Sequence, residues 1–214
     1  MKRKIFVAFL VLTSVVLLAS CGTKYESVTD NNGNTFSIKR DSNGFAQTDE
    51  KSNLIVYETD KNGKIKQTDD GKDSSETIDF PNYIKSESVV ECESFYIEIP
   101  DGWQVQTGHT IKLFNEENQA EIAFTLRTTD TTDECLAQIK DLFSGWDADW
   151  KESEQKFSFG QAKVISSTKL IDHYEKSYYV FAVKGNSYAI STSFNTKLAD
   201  SVDFNSIIGD IKFK

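Results

Sequence analysis

The sequence predicts an α+β protein in which an antiparallel β-sheet is flanked by helices and preceded by a flexible, turn-rich stalk. Three observations lead to this prediction. Large apolar residues concentrate after residue 88, where all three tryptophans lie. Several stretches there alternate between apolar and polar residues, with the period of a half-buried strand. The preceding segment has few large apolar side chains and several Asn-Gly or Asp-Gly turn signals.

The first twenty residues have the pattern of a secretory signal. Cationic residues Lys2–Lys4 precede an uncharged apolar run, Ile5–Leu18, which is shorter than the roughly 20 residues that a membrane-spanning helix needs. The sequence Leu18-Ala19-Ser20-Cys21 then resembles the lipobox of bacterial lipoproteins, in which the cysteine thiol receives a diacylglyceryl group. That resemblance implies removal of residues 1–20, a mature chain that begins at Cys21, and acyl anchoring at the outer face of the cell membrane.

The charge balance argues against one class of partner. The formal net charge of −9 becomes −12 once residues 1–20, with their three cations, are removed. So acidic a chain repels the phosphate backbones of nucleic acids, and none is expected to bind. Arginine is rare among many lysines, a bias typical of an AT-rich genome; the arginines are Arg3, Arg40 and Arg127. Together with the lipobox, this bias favours a Gram-positive bacterium.

Residues 21–88 are predicted to form the lipid-anchored stalk. The motif Thr29-Asp30-Asn31-Asn32-Gly33 recurs as Thr59-Asp60-Lys61-Asn62-Gly63, with a degenerate copy at Thr68–Gly71. These repeats resemble the TD-x-NG-K repeats in the stalks of some Gram-positive surface proteins, and they predict short hairpins, which are marginally stable when isolated. Calcium binding is the alternative to solvated turns, but neither full motif continues to the bidentate acid of a calcium loop. A flexible stalk of this length would reach on the order of 45 Å.

Residues 89–214 are predicted to form one compact domain. The predicted strands are Phe95–Ile99, a segment beginning at Trp103, Ile111–Phe114, Ala120–Leu126, Lys156–Phe159, Ala162–Leu170, Ser177–Val183 and Ser187–Phe194. Thr131 and Glu134 have the spacing of a capping box, which places a helix between the fourth and fifth strands. Its expected buried stripe is Cys135, Ile139, Leu142, Phe143 and Trp146. A short helix from Phe204 to Ile211 ends the domain.

Two segments of this domain resemble a known family. The strand that leads into Ile99-Pro100-Asp101-Gly102-Trp103 and the ending Ile207–Phe213 look like the first and last elements of PsbP-like domains. That family includes the extrinsic PsbP protein of photosystem II and many small bacterial lipoproteins. The resemblance covers roughly residues 90–214 and implies an antiparallel sheet sandwiched between helices. It assigns no functional residue here, and its members act mostly as binding or assembly modules.

The cysteines and histidines form no recognisable reactive arrangement. An extracytoplasmic location permits a disulfide between Cys92 and Cys135, and two buried thiols are the alternative. The cysteines lack the spacing of a metal site, and His109 and His173 stand alone in the sequence, so no metal or cofactor is expected. The sequence offers no serine or cysteine nucleophile beside a base, and no catalytic residue is assigned.

One segment is a candidate binding surface. In Trp146-Asp147-Ala148-Asp149-Trp150, two aromatic residues flank two acids, which could stack on a sugar ring and accept its hydroxyl protons. In the alternative interpretation, Trp146 closes the helix onto the core and the acids solvate a loop. Trp150 would then be the aromatic residue free to contact a ligand, so Asp147, Asp149 and Trp150 are the predicted surface.

Composition and motifs together predict a membrane-anchored, extracytoplasmic lipoprotein that binds an envelope protein or a small molecule without catalysing a reaction. The alternative is a cell-envelope enzyme or glycan-binding protein that uses the Trp146–Trp150 segment. A two-lobed solute-binding lipoprotein is a third class, but a domain of about 125 residues is too small for two lobes.

Overall fold

The computed structural model describes residues 25–106 and 108–214, which form two antiparallel sheets and two helices. Cys21 and the signal segment lie outside the described residues. The predicted fold class is wrong in two respects: a second sheet takes the place of a helical layer, and the expected stalk forms strands. Neither helix of the described ranges is long and apolar enough to cross a membrane.

The elements follow one another along the chain, and the longest connections are residues 40–53 and 58–74 in the first sheet. In order they are β1 (Tyr25–Asp30), β2 (Thr35–Lys39), β3 (Leu54–Tyr57), β4 (Ser75–Ile78), β5 (Ile84–Lys85), β6 (Val89–Glu91), β7 (Phe95–Glu98), β8 (Trp103–Gln106), β9 (Lys112–Asn115), β10 (Ala120–Thr128), α1 (Thr132–Leu142), β11 (Lys151–Phe157), β12 (Gly160–Ile171), β13 (Tyr174–Val183), β14 (Asn186–Asn195), α2 (Phe204–Gly209) and β15 (Lys212–Phe213). The first sheet has the order β15-β7-β6-β5-β1-β2-β3-β4, and the second has the order β11-β12-β13-β14-β10-β9-β8.

Residues 30–73 form a repeat ribbon, a series of tight turns whose pattern recurs every 19 residues. The bridge Arg40↔Ala46 recurs as Thr59↔Ile65, and the bridge Thr48↔Leu54 recurs in the same way. In each turn a side-chain oxygen caps the backbone. Asp49, for example, accepts the N–H groups of the second and fourth residues after it, at 2.8 and 2.9 Å. Such Asx turns satisfy backbone donors locally, so the ribbon forms with few apolar residues.

Two further contacts order the ribbon, which explains why the prediction of a flexible stalk is wrong. The apolar side chains of the ribbon form a small buried cluster with Val28 of β1 and Ile84 of β5. The ribbon residues in this cluster are Ile38, Ala46, Leu54 and Val56. In addition, Arg40 donates to Glu26 and to the fully buried Glu91 of β6, both at 2.5 Å. Glu91 also accepts the backbone N–H of Ala46 and lies 3.1 Å from the ammonium of Lys214. The ribbon is therefore tied to the rest of the molecule by a buried ion network.

The main core lies between the two sheets. Strands β6 and β7 of the first sheet and strands β8 to β14 of the second contribute apolar side chains to one continuous cluster, in which α2 also takes part. The first sheet thus covers the face where helices were expected. Helix α1 lies on the opposite face of the second sheet, with Cys135, Leu136 and Ile139 against Tyr178 and Val180.

The prediction of α1 is partly confirmed. The capping box is present: Thr131 Oγ1 accepts the N–H of Glu134 at 3.2 Å, and the Glu134 carboxylate accepts the N–H of Thr131 at 2.8 Å. The predicted burial of Leu142 and Trp146 is wrong, since these side chains are 76% and 60% exposed. The helix ends at Leu142, so its periodicity does not extend to Trp146.

Candidate functional site

The structure places the predicted surface residues in different environments. Asp147 and Asp149 are exposed, and their carboxylates lie 3.6 and 3.4 Å from the ammonium of Lys169. Their negative charges raise the pKa of Lys169. Trp150, by contrast, is half-buried and packs its ring against Phe143 and Tyr178. The exposed aromatic residue of this segment is Trp146, the reverse of the expected arrangement.

The structure does not bring Cys92 and Cys135 together. Both are free thiols. Cys92 packs against the core between the sheets. Cys135 belongs to α1 and lies on its buried side, on the opposite face of the second sheet. Burial is the main cause that raises the pKa of each thiol. Both cysteines thus fit the alternative of buried apolar thiols, and neither is activated as a nucleophile.

A cleft of about 360 Å³ opens at one end of the core, between the two sheets. We call it the interlayer cleft and define it by six of its lining residues: Phe80, Phe95, Phe124, Tyr188, His109 and Arg127. The first sheet contributes the segment before β5 and the turn that joins β6 to β7. The second sheet contributes the segment before β9, together with β10 and β14. The cleft therefore depends on how the two sheets pack.

Aromatic rings form the apolar wall of the interlayer cleft. Phe95 is buried at the start of β7, and its ring stacks on that of Phe124 with centroids 4.5 Å apart. Tyr188 meets Phe95 edge to face at 6.2 Å. Contacts of this kind stabilise aromatic pairs beyond the burial of their surfaces. The wall is consequently a built part of the core, and its rings are held in place from both sheets.

A β-bulge in β10 aims residues of one strand into the interlayer cleft. The pairing of β10 with β14 shifts register between Phe124 and Leu126, which leaves Thr125 as the extra residue. The Thr125 hydroxyl donates to the carbonyl of Ala189 at 2.9 Å, which satisfies the backbone there. Because side chains alternate along a regular strand, the bulge accounts for the presence of Phe124, Thr125 and Arg127 on the same cleft.

Hydrogen-bond donors line the open rim. Arg127 is about half-exposed, and its Nη1 lies 3.8 Å from the Glu93 carboxylate, beyond hydrogen-bond distance. His109 Nδ1 lies 3.4 Å from the side-chain nitrogen of Asn82. Since that amide nitrogen can only donate, this contact is a hydrogen bond in the tautomer of His109 that carries its proton on Nε2. The rim therefore combines a guanidinium with an imidazole N–H.

Cys92 and His109 both line the interlayer cleft, and the described contacts do not join them. The Cys92 thiol lies 3.6 Å from the Ser94 hydroxyl, and no hydrogen bond within the described ranges joins it to His109. No group of three or more histidine, cysteine or acidic side chains in residues 25–106 and 108–214 is arranged to hold a metal ion. The arrangement is suited to binding an amphipathic molecule.

No protein-family model matches the chain, and no curated protein matches it significantly. The resemblance to PsbP-like domains stays a prediction, and the helix-flanked fold that it implied is corrected above.

Sequence reasoning missed the interlayer cleft, whose parts lie far apart in the chain. His109 stands alone in the sequence, and the sequence assigns no role to Arg127. One signal was available. Only Arg40 and Arg127 follow the lipobox in a chain rich in lysine. Arginine is preferred over lysine where a planar, multiply donating cation is needed. Here Arg40 holds the buried Glu91, and Arg127 lies at the cleft.

Proposed function

We propose that this chain is a membrane-tethered binding protein of the bacterial cell envelope and that it does not catalyse a reaction. Acyl chains on Cys21 hold it at the outer face of the membrane, and the interlayer cleft takes up a small molecule. The observation that carries the binding role is the aromatic-walled cleft of about 360 Å³ between the sheets. Small-molecule sites usually have volumes of roughly 300–1,000 Å³, apolar walls and a few polar groups.

The tether in this proposal is short. Tyr25 already belongs to β1, and only four residue steps separate it from Cys21. A chain of that length spans at most about 14 Å. The body of the protein therefore stays close to the membrane surface, in contrast to the reach of a flexible stalk. A ligand taken up by the cleft would be held near the bilayer.

The anchor is tested with a Cys21→Ser variant of the full chain. Cells are labelled with an alkyne analogue of palmitate, and membranes are separated from soluble material. We expect the natural protein to carry the label in the membrane fraction and the variant to carry none. Equal labelling of the two proteins would refute anchoring through Cys21.

The binding role is tested by filling the interlayer cleft. Thr110 is exposed and lines the cleft, so Thr110→Trp places a large ring in it; Thr168→Trp adds the same ring at an exposed position on β12 outside it. Full-length proteins in lipid nanodiscs are titrated with indole, 3-phenylpropanoate and 3-phenylpropanamide, with empty nanodiscs as the blank. We expect saturable binding that Thr110→Trp abolishes and Thr168→Trp preserves. No binding, or equal binding by both variants, would refute the proposal.

A second candidate function rests on the exposure of Trp146. An exposed indole beside Asp147 and Asp149 has the chemistry of a sugar-stacking platform, as in the alternative interpretation of the sequence. Its test is the binding of a tetramer of N-acetylglucosamine to the full chain. Trp146→Ala should remove that binding, whereas Leu142→Ala, at the neighbouring exposed apolar side chain, should not. Binding that survives Trp146→Ala would refute this candidate.

A further inference from the structure

We infer that the interlayer cleft selects amphipathic anions: molecules that join a carboxylate, held by Arg127 and His109, to a compact aromatic or acyl body against Phe95, Phe124 and Tyr188. This inference rests on the proposed binding function and adds the chemical class of the ligand. Three features of the interlayer cleft support this inference: the polarity of its rim, the charges around the rim and the shape of its aromatic wall.

The polar groups at the rim are suited to an acceptor. The Arg127 guanidinium has five N–H donors, and its ion-pair partner Glu93 is too distant, at 3.8 Å, to accept a hydrogen bond from Nη1. In the tautomer of His109 whose Nδ1 accepts from Asn82, the Nε2–H is a further donor. A carboxylate can accept from both groups at once, and charge-assisted hydrogen bonds of this kind are among the strongest in proteins.

The charges around the cleft favour an anion. Glu93 is the one carboxylate among the described residues that line it, and Arg127 already faces that group. Lys184 and Lys214 line an adjoining depression of about 190 Å³, which also shares Arg127 and Glu93 with the cleft. Lys214 is paired with the buried Glu91, and Arg127 faces Glu93. The excess of positive charge among these residues therefore comes from Lys184, on a chain whose net charge is −9. A cationic ligand would be repelled by Arg127 and would have to compete with it for Glu93.

The wall sets the size and character of the remaining part of the ligand. The stacked pair Phe95 and Phe124, with Tyr188 edge-on, presents apolar surface that is fixed by core packing. A ring or short acyl chain that covers this surface gains from the removal of apolar area from water. The volume of about 360 Å³ is near the lower end for ligand sites, so the body must be compact.

The test compares an acid with its neutral isostere. Full-length protein in nanodiscs is titrated by calorimetry with 3-phenylpropanoate and with 3-phenylpropanamide, which differ in charge but have similar shapes. We expect the acid to bind about tenfold more tightly, as the gain of one charge-assisted contact implies. Arg127→Gln should remove this preference, because it lowers the affinity for the acid far more than the affinity for the amide. Glu93→Gln should tighten acid binding, because it releases Arg127 from its competing partner.

A matched control and two contrary outcomes complete the test. Lys169→Gln removes a half-exposed, ion-paired cation outside the cleft and should change neither affinity. Equal binding of acid and amide, with both lost in Thr110→Trp, would overturn the anion selectivity and leave the binding function standing. Acid binding that persists in Thr110→Trp would show that the probe binds elsewhere, which would overturn the cleft as the site and with it the proposed function.

Discussion

Replacing Arg40 with alanine should detach the repeat ribbon from the rest of the molecule. Arg40 bonds two carboxylates, at 2.5 Å each, but they differ in burial: the Glu26 side chain is 31% exposed, whereas the Glu91 side chain is 0% exposed. The exposed pair contributes at most about 1 kcal/mol. Removing the partner of a buried charge usually costs about 3–5 kcal/mol. Because Glu91 keeps the N–H of Ala46 and the ammonium of Lys214, we expect a loss of about 3 kcal/mol.

The assay is urea unfolding of the full chain, combined with hydrogen exchange of the segment 40–46. The control is Lys66→Ala, which removes an ion pair of the same ribbon whose side chains are 53% and 48% exposed. This variant should lose less than about 1 kcal/mol. The double variant Arg40→Met, Glu91→Met should recover only part of the loss, since it removes the unpaired charge of Glu91 but leaves the ammonium of Lys214 and the N–H of Ala46 without that partner. Equal destabilisation by Arg40→Ala and Lys66→Ala would refute the reasoning.

Three further predictions concern local structure. Gly44→Ala should lower the thermal midpoint more than Gly33→Ala. Both glycines have positive φ, but only at position 44 would an added Cβ lie 3.1 Å from a tyrosine hydroxyl. Equal shifts of the midpoint would contradict this prediction. Thr131→Ala should cost about 1 kcal/mol in urea unfolding through loss of the capping box, and a cost near zero would contradict it. The pKa of Asp49 is lowered mainly by the backbone N–H of Asn53, and the pKa of Asp60 mainly by that of Lys64. The two ionised carboxylates therefore stabilise the folded protein above about pH 4, and this stabilisation is lost as the pH falls further. The protection factors of the ribbon amides, which correct for the pH dependence of the intrinsic exchange rate, should fall below that pH, and a variant with both residues replaced by asparagine should respond less.

Periodicity predicted the second sheet well. The hairpin around Lys184-Gly185-Asn186 is confirmed as β13 and β14, and the strand predicted at Ala120–Leu126 is confirmed as β10. These strands alternate or are bounded by strong turn signals, so their local sequence determines them. The capping box located the start of α1 for the same reason. Local chemistry was sufficient for these elements.

Most of the first sheet could not be predicted in this way, although the strand predicted at Phe95–Ile99 is confirmed as β7. Its strands are short, and most of their stabilisation comes from pairing with distant segments, as between β15 and β7. Composition also undervalued the ribbon, because the carboxylates of its turns satisfy backbone donors that a count of apolar residues ignores. The cleft was missed for a related reason. His109 and Arg127 become neighbours only when the sheets pack, and the bulge that aims Arg127 leaves no clear mark in the sequence.

The two copies of the 19-residue repeat make different contacts with the rest of the molecule. In the first copy Arg40 and Ala46 donate hydrogen bonds to Glu91, whereas the second copy has Thr59 and Ile65 at the same positions. The second copy is attached to the start of the first sheet instead, since its Asp73 accepts from Tyr25 and Lys39. An insertion of 19 residues would keep the turns in phase and leave Arg40 and Ala46 at Glu91. A change of any other length would shift turn carboxylates into strand positions and disorder the ribbon beyond that point.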